Sequence, residues 1–384
     1  MSGGLNILIL SASVGAGHTH AATALEAAFR NTHKTHLVQH LDTLDYATKL
    51  LRTVYSKGYS YAARRLPTLT DSLYKALDRP RRHTSLSLAF ERLNTRRFAI
   101  MLRDCKPDLV ICTHFLPAQI LSSLVEFRQL AIRYSVVVTD FDVHSIWITR
   151  HCERYFVATD DARMHLEALG ISADRVSVTG IPIDPVFSVA KDRRDMRRKY
   201  GLDKDRPTIL VSGGRFDLHV VEQITKSLAA LPREAQVVVL MGPKEERRNK
   251  MQQAAVRLCL ETRVTFKFVG FVEYMNELMA ACDLVVGRPG GLITSEALAS
   301  GLVFVIVNPI PGQEERNADY LLMENAAIRC HNLSVLSDKI EGLLGDIPRL
   351  ETMKKNVARI ARPRAAFDIV ETLLEAGSRP VFFH

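Results

Sequence analysis

Short apolar runs rich in β-branched residues alternate along the chain with longer stretches whose apolar residues recur every three or four positions. A first series of runs lies at Ile7–Leu10, Leu109–Thr113, Ser135–Thr139, Tyr155–Ala158 and Val176–Thr179. A second series lies at Thr208–Ser212, Val237–Met241, Val264–Val269, Leu284–Val286 and Val303–Val307. Nearly continuous apolar strands that alternate with helices are typical of parallel sheets covered on both faces. The pattern therefore predicts an α/β protein with two Rossmann-like domains that face each other across a cleft.

A proline-rich joint, Gly180–Phe187 ("GIPIDPVF"), separates the two series. The chain has 384 residues, which is more than one hydrophobic core usually organises. We therefore predict an N-terminal domain at 1–186 and a C-terminal domain at 187–365. A final helix within 366–384 follows the break at Pro363, and we expect it to pack back toward the N-terminal domain.

The segment 46–106 interrupts the first series and differs from it in charge. It holds fourteen Lys and Arg residues against four Asp and Glu residues, whereas the whole chain has a net charge of +9. Tyrosines and leucines lie between its basic positions, a combination typical of peripheral contact with an anionic membrane. The segment predicts either a solvated helical excursion or a membrane-facing surface, whose candidate residues are Arg64, Arg65, Arg81 and Arg82.

Composition argues against several other classes of protein. No run reaches the roughly 18 apolar residues that a spanning helix needs, and the start "MSGGLNILIL" lacks the basic region of a signal peptide. The six cysteines show no C-x-x-C spacing, which disfavours a zinc ribbon or a redox pair. We expect a cytoplasmic protein.

The loop after the first strand, "SASVGAGH", carries a histidine at the start of a helix. Gly15 and Gly17 allow a tight turn and the close approach of a ligand. A dinucleotide site would use this pair with Asp42, but the fingerprint G-x-G-x-x-G has His20 at its third glycine. The unperturbed pKa of histidine lies near neutrality, so His18 is suited to proton transfer, or else it only bonds the loop.

The loop "TDFDVHSIW" places Asp140 directly after a buried strand and His144 close behind it. A carboxylate near a histidine can orient and polarise it, so we expect both residues to line a site rather than the core. Asp140-Phe-Asp142 also matches the metal–nucleotide pattern D-x-D. Asp203-Lys-Asp205 matches equally well in a polar stretch, so the pattern carries no weight.

Two loops of the second series are candidates for binding a nucleotide sugar. In "RPGGLITSEALASG", Gly290 and Gly291 precede a helix whose free N–H groups favour a diphosphate, and Glu296 lies one turn further on, where it can bridge ribose hydroxyls. The alternative is a surface glutamate after an ordinary glycine turn. In "PGQEERNADYL", Gln313 and Glu314 either cap a helix or bind sugar hydroxyls.

These motifs, together with "GIPI" and "GFVEYM", keep their order along the chain and resemble the monogalactosyldiacylglycerol synthase and processive diacylglycerol glucosyltransferase family. The resemblance implies a GT-B fold in which the N-terminal domain binds the acceptor and the C-terminal domain binds a UDP-sugar. It implies a glycosyltransferase that inverts the anomeric carbon, needs no cofactor or metal, and works at the inner face of the cell membrane. The implied partners are the UDP-sugar, a diacylglycerol or glycolipid acceptor and an anionic membrane surface, with no nucleic acid.

The resemblance also implies a role for individual residues. His18 would be the general base, with Asp140 and His144 near the acceptor, while Glu296 would bind the ribose. The remaining donor contacts would come from Gly213, Gly214, Phe271, Val272, Gly290, Gly291, Thr294, Gln313 and Glu314.

The chain departs from the family's pattern at three arginines, Arg215, Arg288 and Arg316, which leaves the donor sugar open between glucose, galactose and glucuronic acid. Another GT-B transferase that acts on an isoprenoid-linked saccharide, or a UDP-sugar epimerase, is an alternative function. An epimerase would not need the basic segment. A nucleic-acid-binding protein is a remote alternative, because it leaves the glycine loops unexplained.

Overall fold

The computed structural model describes residues 4–32, 37–46, 97–127, 130–258 and 262–375, with backbone only for 254–258. Most of the basic segment 46–106, including Arg64, Arg65, Arg81 and Arg82, lies outside these residues. Among the described residues, no helix is long and apolar enough to cross a membrane.

Two parallel sheets organise the described chain, and they confirm the predicted α/β class with two Rossmann-like domains. The strands of the N-terminal sheet are β1 Asn6–Ser11, β2 Leu37–Asp42, β3 Leu109–Cys112, β4 Tyr134–Val137, β5 Arg154–Val157 and β6 Val176–Val178. The strands of the C-terminal sheet are β7 Thr208–Ser212, β8 Ala235–Leu240, β9 Val264–Val269, β10 Leu284–Gly287, β11 Val303–Val307 and β12 Ala327–Cys330.

Helices cover both sheets. The first group is α1 Ala16–Arg30, α2 at 97–105, α3 Phe115–Glu126, α4 Asp160–Ala168, α5 Arg193–Lys199 and α6 Leu218–Ala229. The second group is α7 Glu245–Leu258, α8 Met275–Ala280, α9 Gly291–Ala299, α10 Gln313–Met323, α11 Leu336–Gly345, α12 Ile347–Ile360 and α13 Ala365–Glu375.

The strand orders fix where ligands can bind. In the N-terminal sheet the order is β2-β1-β3-β4-β5-β6. Strand β2 is added on one side of β1 and the later strands on the other side, so the strand order reverses between β1 and β3. In the C-terminal sheet the order is β9-β8-β7-β10-β11-β12, with the reversal between β7 and β10. Ligands of open α/β sheets bind at the carboxyl ends of the two strands that flank such a reversal. The loop of His18 lies at the first reversal, and the glycine turns after β7 and β10 lie at the second.

The last helix, α13, packs on the N-terminal domain although it follows the C-terminal one. Its buried residues Ile369 and Val370 join Leu25 and Phe29 of α1 in one apolar cluster. The chain thus crosses between the domains twice, before β7 and before α13. The two crossings touch, because a Cβ at Gly180 would lie 2.5 Å from the Cβ of Arg362.

Candidate functional site

The side chain of His18 is fixed by two loops of the N-terminal domain. Gly15, with a φ of 94°, precedes α1 and lets the chain turn into the helix, while Gly17 is surrounded by open space. The His18 Nδ1 lies 3.1 Å from the carbonyl oxygen of Thr113 and 2.8 Å from the Thr139 hydroxyl. A carbonyl oxygen only accepts, so Nδ1 carries the proton and Nε2 keeps its lone pair.

The surroundings of His18 favour its neutral form. Burial is the larger cause, and with the positive charge of Arg215 it lowers the pKa of His18 to about 4, while the bond to Thr113 acts in the opposite direction. The His114 ring lies edge-on, 4.5 Å from the His18 ring, and burial lowers the pKa of His114 well below its usual value. At neutral pH the imidazole of His18 is therefore uncharged, with its one proton on Nδ1, and it lies against the uncharged ring of His114.

Asp140 is buried at the junction of the two domains, with 6% of its surface exposed. Burial is the main cause that raises its pKa to about 6, and hydrogen bonds from Gln313 and Asn317 of α10 act against this rise. His144 lies elsewhere in the same loop, where its Nδ1 accepts the Ile146 N–H at 3.1 Å. The structure thus connects Asp140 to the C-terminal domain and gives His144 a capping bond.

Asn317, which sequence reasoning missed, joins three segments. Its Oδ1 accepts the Phe141 N–H at 3.0 Å, and its Nδ2 donates to the Pro289 carbonyl at 3.0 Å and lies 3.5 Å from Asp140 Oδ1. Its side chain is fully buried. The loop after β4, the turn after β10 and helix α10 therefore meet at one amide, and the only sequence signal was that Asn317 lies four residues after Gln313.

Two further contacts accompany Asn317 at this domain junction. Arg316 Nη1 donates to Asp142 Oδ2 at 2.5 Å, and the rings of Phe141 and Tyr320 stack with their centres 5.0 Å apart. Arg316 therefore holds the N-terminal domain against α10. Asp142 is its ion-pair partner, which gives the second carboxylate of the D-x-D pattern a structural contact.

The turn after β10 brings the start of α9 against the N-terminal domain. Gly290 is the residue before the helix, and the first helical residues have N–H groups without acceptors inside the helix. A Cβ at Gly291 would overlap the carbonyl oxygen of Thr139. Thr294 adds a fully buried hydroxyl that has no hydrogen-bond partner among the described residues. The free N–H donors at the start of α9 thus lie next to Thr139, whose hydroxyl contacts His18.

Glu296 lies on the second turn of α9 without a side-chain hydrogen bond to the described residues. Burial, and then the negative charge of Asp184 in the joint between the domains, raise the pKa of Glu296 to about 8. The carboxyl is therefore mostly protonated at neutral pH.

The turns after β7 and β9 complete the rim of the C-terminal site. A Cβ at Gly213 would lie 2.7 Å from the Leu240 carbonyl oxygen, so this turn needs glycine. Gly214 packs against Gly242 in the turn after β8. After β9, Phe271 is 65% exposed while Val272 is buried, so an aromatic face stands at the edge of the site.

The start of α10 presents both residues predicted for sugar binding. Gln313 bonds Asp140, and the buried carboxyl of Glu314 accepts the Ile310 N–H at 2.8 Å. Burial is the main cause that raises the pKa of Glu314. This bond fixes the loop before α10, and no side chain caps the N-terminus of the helix.

The described residues contain no group of three or more His, Cys, Asp or Glu side chains that could hold a metal ion.

Sequence comparison assigns the family. Residues 18–183 match the family model for monogalactosyldiacylglycerol (MGDG) synthase, and residues 192–359 match that for glycosyl transferases group 1. A processive diacylglycerol beta-glucosyltransferase from Bacillus cereus (strain AH187) is 32% identical over 372 residues, which cover 96% of this chain and 93% of the relative. The chain belongs to the processive diacylglycerol glucosyltransferase family. A relative of the same name from Bacillus thuringiensis (strain Al Hakam) is 31% identical over 373 residues, again 96% of this chain and 93% of the relative.

Solved structures of GT-B enzymes share the fold of this glycosyltransferase. MurG from Acinetobacter baumannii has a TM-score of 0.66 at 17% identity and covers 97% of this chain and 99% of its own. Anabaena Alr3699/HepE in complex with UDP-glucose has a TM-score of 0.56 at 16% identity, with 97% and 100% covered. A UDP-GlcNAc 2-epimerase from Neisseria meningitidis has a TM-score of 0.58 at 14% identity and the same coverage.

We predict that His18 stays neutral between about pH 5.5 and 8, because burial opposes the imidazolium. Carbon and nitrogen NMR of the histidine-labelled protein should report one unchanging tautomer, with the proton on Nδ1, over this range. The spectrum of His18→Gln assigns the resonance. A titration midpoint near the ordinary value of 6.5 would contradict the prediction.

Proposed function

We propose that this protein is an inverting, metal-independent glycosyltransferase that moves a hexose from a UDP-sugar to diacylglycerol or a glycosyl-diacylglycerol at the membrane surface. The observation that carries the proposal is the position of Thr139. Its hydroxyl lies 2.8 Å from Nδ1 of His18, and its carbonyl packs on Gly291 at the start of α9. A neutral base and a set of free N–H donors therefore flank the same residue from opposite domains.

The reaction follows from these two groups. The acceptor hydroxyl oxygen attacks the anomeric carbon and loses its proton to Nε2 of His18, while the bond between that carbon and the phosphate oxygen breaks. The electron pair leaves with UDP, whose developing charge faces the N–H groups of Gly291 and the following residues. A single displacement of this kind inverts the anomeric centre. Positive charge and N–H donors at the phosphates supply the stabilisation that a metal gives in other transferases.

The donor would lie along the C-terminal site. Phe271 and Val272 suit the uracil, Glu296 the ribose, Gly290 and Thr294 the diphosphate, and Gln313 with Glu314 the hexose. Gly213 and Gly214 leave room for the chain to pass close to the phosphates. The relatives are named as β-glucosyltransferases, so glucose is the first sugar to test.

The acceptor would be met at an anionic membrane on the cytoplasmic side. The net positive charge of the segment 46–106 supports this part of the proposal. Asp140 and His144 lie in the loop after β4, in the N-terminal domain that would bind the acceptor. The family relatives carry diacylglycerol in their names.

The alternatives are weaker. The epimerase shares the fold at 14% identity, whereas the diacylglycerol glucosyltransferases match in sequence over 96% of the chain. A transferase that acts on an isoprenoid-linked saccharide would use the same donor site, so the acceptor experiment distinguishes it.

Incubation with labelled UDP-glucose, UDP-galactose or UDP-glucuronate and diacylglycerol vesicles tests the function directly. We predict a labelled glycolipid with at least one donor.

We predict that His18→Ala lowers turnover roughly 10²- to 10⁴-fold, the usual contribution of a general base, with UDP affinity nearly unchanged.

Isothermal calorimetry with UDP provides the control for this variant. Equal turnover by the two proteins would remove the assigned role, and a parallel loss of UDP affinity would make His18 a donor ligand instead. Transfer to an isoprenoid-linked saccharide in place of diacylglycerol would favour the alternative acceptor.

We predict that UDP binding releases a proton near pH 7 and that UDP affinity rises from about pH 6 to 8. The pKa of Glu296 is raised to about 8 in the free protein, so the carboxyl is mostly protonated at neutral pH. Two ribose hydroxyls that donate to it stabilise the charged form and lower its pKa. Calorimetry in two buffers of different ionisation enthalpy measures the release, which Glu296→Gln should abolish. Binding without proton release in the unmodified protein would refute this role.

We predict that replacing Arg64, Arg65, Arg81 and Arg82 by glutamate releases the protein from anionic vesicles. Each basic side chain near such a surface contributes about 1 kcal/mol, so four give about 4 kcal/mol, which suits reversible docking. Added salt should release the unmodified protein in the same way, since it screens the attraction. UDP affinity is the control and should not change. Salt-insensitive vesicle binding by both proteins would show that the segment is a solvated excursion.

A further inference from the structure

Arg215, in the turn after β7, lies where three parts of the site meet. Its Nη1 is 3.2 Å from the position that a Cβ at Gly290 would take, so the guanidinium covers the start of α9. Its Nη2 lies 3.8 Å from Glu314 Oε1, beyond hydrogen-bond distance. Its charge also reaches His18 in the other domain. The side chain is 61% exposed, and no hydrogen bond from its guanidinium to a described residue accompanies these contacts.

The other two arginines that depart from the family pattern have partners within the protein. Arg288 donates through Nε to the Asn308 carbonyl at 2.9 Å, and its guanidinium lies 4.9 Å from the centre of the Phe216 ring. Arg316 is paired with Asp142 of the N-terminal domain. Of the three, Arg215 is therefore the arginine that presents its donors to the site.

We propose that Arg215 binds the diphosphate of the donor and stabilises the charge that develops on it as UDP leaves. This inference rests on the proposed function and adds a residue to its leaving-group side. The electron pair of the broken carbon–oxygen bond moves to a phosphate oxygen, and a guanidinium offers that oxygen a charged, often bidentate, hydrogen bond. The N–H groups of α9 approach the same phosphates from the other side.

The position of Glu314 favours phosphate over the carboxylate of an acidic sugar. A uronate bound to Arg215 would lie beside the Glu314 carboxyl, which is 3.8 Å from the same guanidinium. Phosphate oxygens can approach from the side of Gly290, next to the first turn of α9, whose N–H groups from Gly291 onward have no acceptor inside the helix. Of the three arginines that depart from the family pattern, only Arg215 would therefore contact the donor. It would bind the diphosphate, which all UDP-sugars share.

The test is calorimetry with uridine and UDP on the full-length protein, its Arg215→Ala and Arg215→Lys variants, and Arg263→Ala. Arg263 is an exposed arginine at the amino end of β9, whereas the site lies at the carboxyl ends of the strands, and it serves as the matched control. Arg215→Ala should weaken UDP binding roughly 10- to 100-fold, as expected for a hydrogen bond to a charged group, and leave uridine binding unchanged. Arg215→Lys should retain part of the affinity, and Arg263→Ala all of it.

Turnover adds a second readout. Arg215→Ala should lower kcat with glucose, galactose and glucuronate donors alike, and the acid limb of kcat at saturating donor should move to higher pH because removal of a nearby cation raises the pKa of His18. Unchanged UDP affinity in Arg215→Ala overturns the inference, and so does a loss confined to UDP-glucuronate. Failure of the unmodified protein to bind either UDP or uridine overturns the proposed function itself.

Discussion

The backbone at Gly291 lies against the carbonyl of Thr139, so closely that any side chain at 291 would collide with it. This contact joins the carboxyl ends of two sheets that have no strand in common. The hydroxyl of the same threonine holds His18 at 2.8 Å. If the domains separated, His18 and the start of α9 would part, and the proposed reaction could not use both. The chemistry of the site therefore depends on the fit between the domains as much as on the residues themselves.

Burial at this junction sets the protonation states that the proposed chemistry needs. The same loss of hydration that lowers the pKa of His18 raises those of Asp140 and Glu296, because each shift disfavours a charged form. A base that stays neutral can accept a proton at pH 7. A protonated Glu296 carboxyl avoids a bare charge beside Asp184, and in the proposed reaction the ribose hydroxyls would favour its ionised form. Asn317 and Gln313 supply hydrogen-bond partners to Asp140 within the fold, whereas Glu296 has no side-chain hydrogen bond to the described residues.

The sequence predicted the sheets well because each buried parallel strand is a nearly continuous apolar run. Val264–Val269 and Val303–Val307 were predicted with their observed bounds. Strand β12 was not predicted, since Ala327–Cys330 is short and includes Arg329. The glycine turns and His18 could also be found, because a strand end followed by small residues marks a ligand loop. The contacts of Asn317 and Arg316 could not, since a polar helix face does not show which loop of another domain will cover it.

The two domain crossings constrain how the cleft can open. Gly180, with a φ of 91°, packs on Arg362, so the outgoing and returning segments touch each other. Helix α13 is buried on α1 and must stay with the N-terminal domain. A rotation that preserves these contacts has its axis near the crossings and moves α9 and α10 away from Thr139 and Phe141. It would break the bonds of Asn317 and the Arg316–Asp142 ion pair. Such a rotation would also separate the stacked rings of Phe141 and Tyr320, whereas the apolar packing of α13 on α1 would persist.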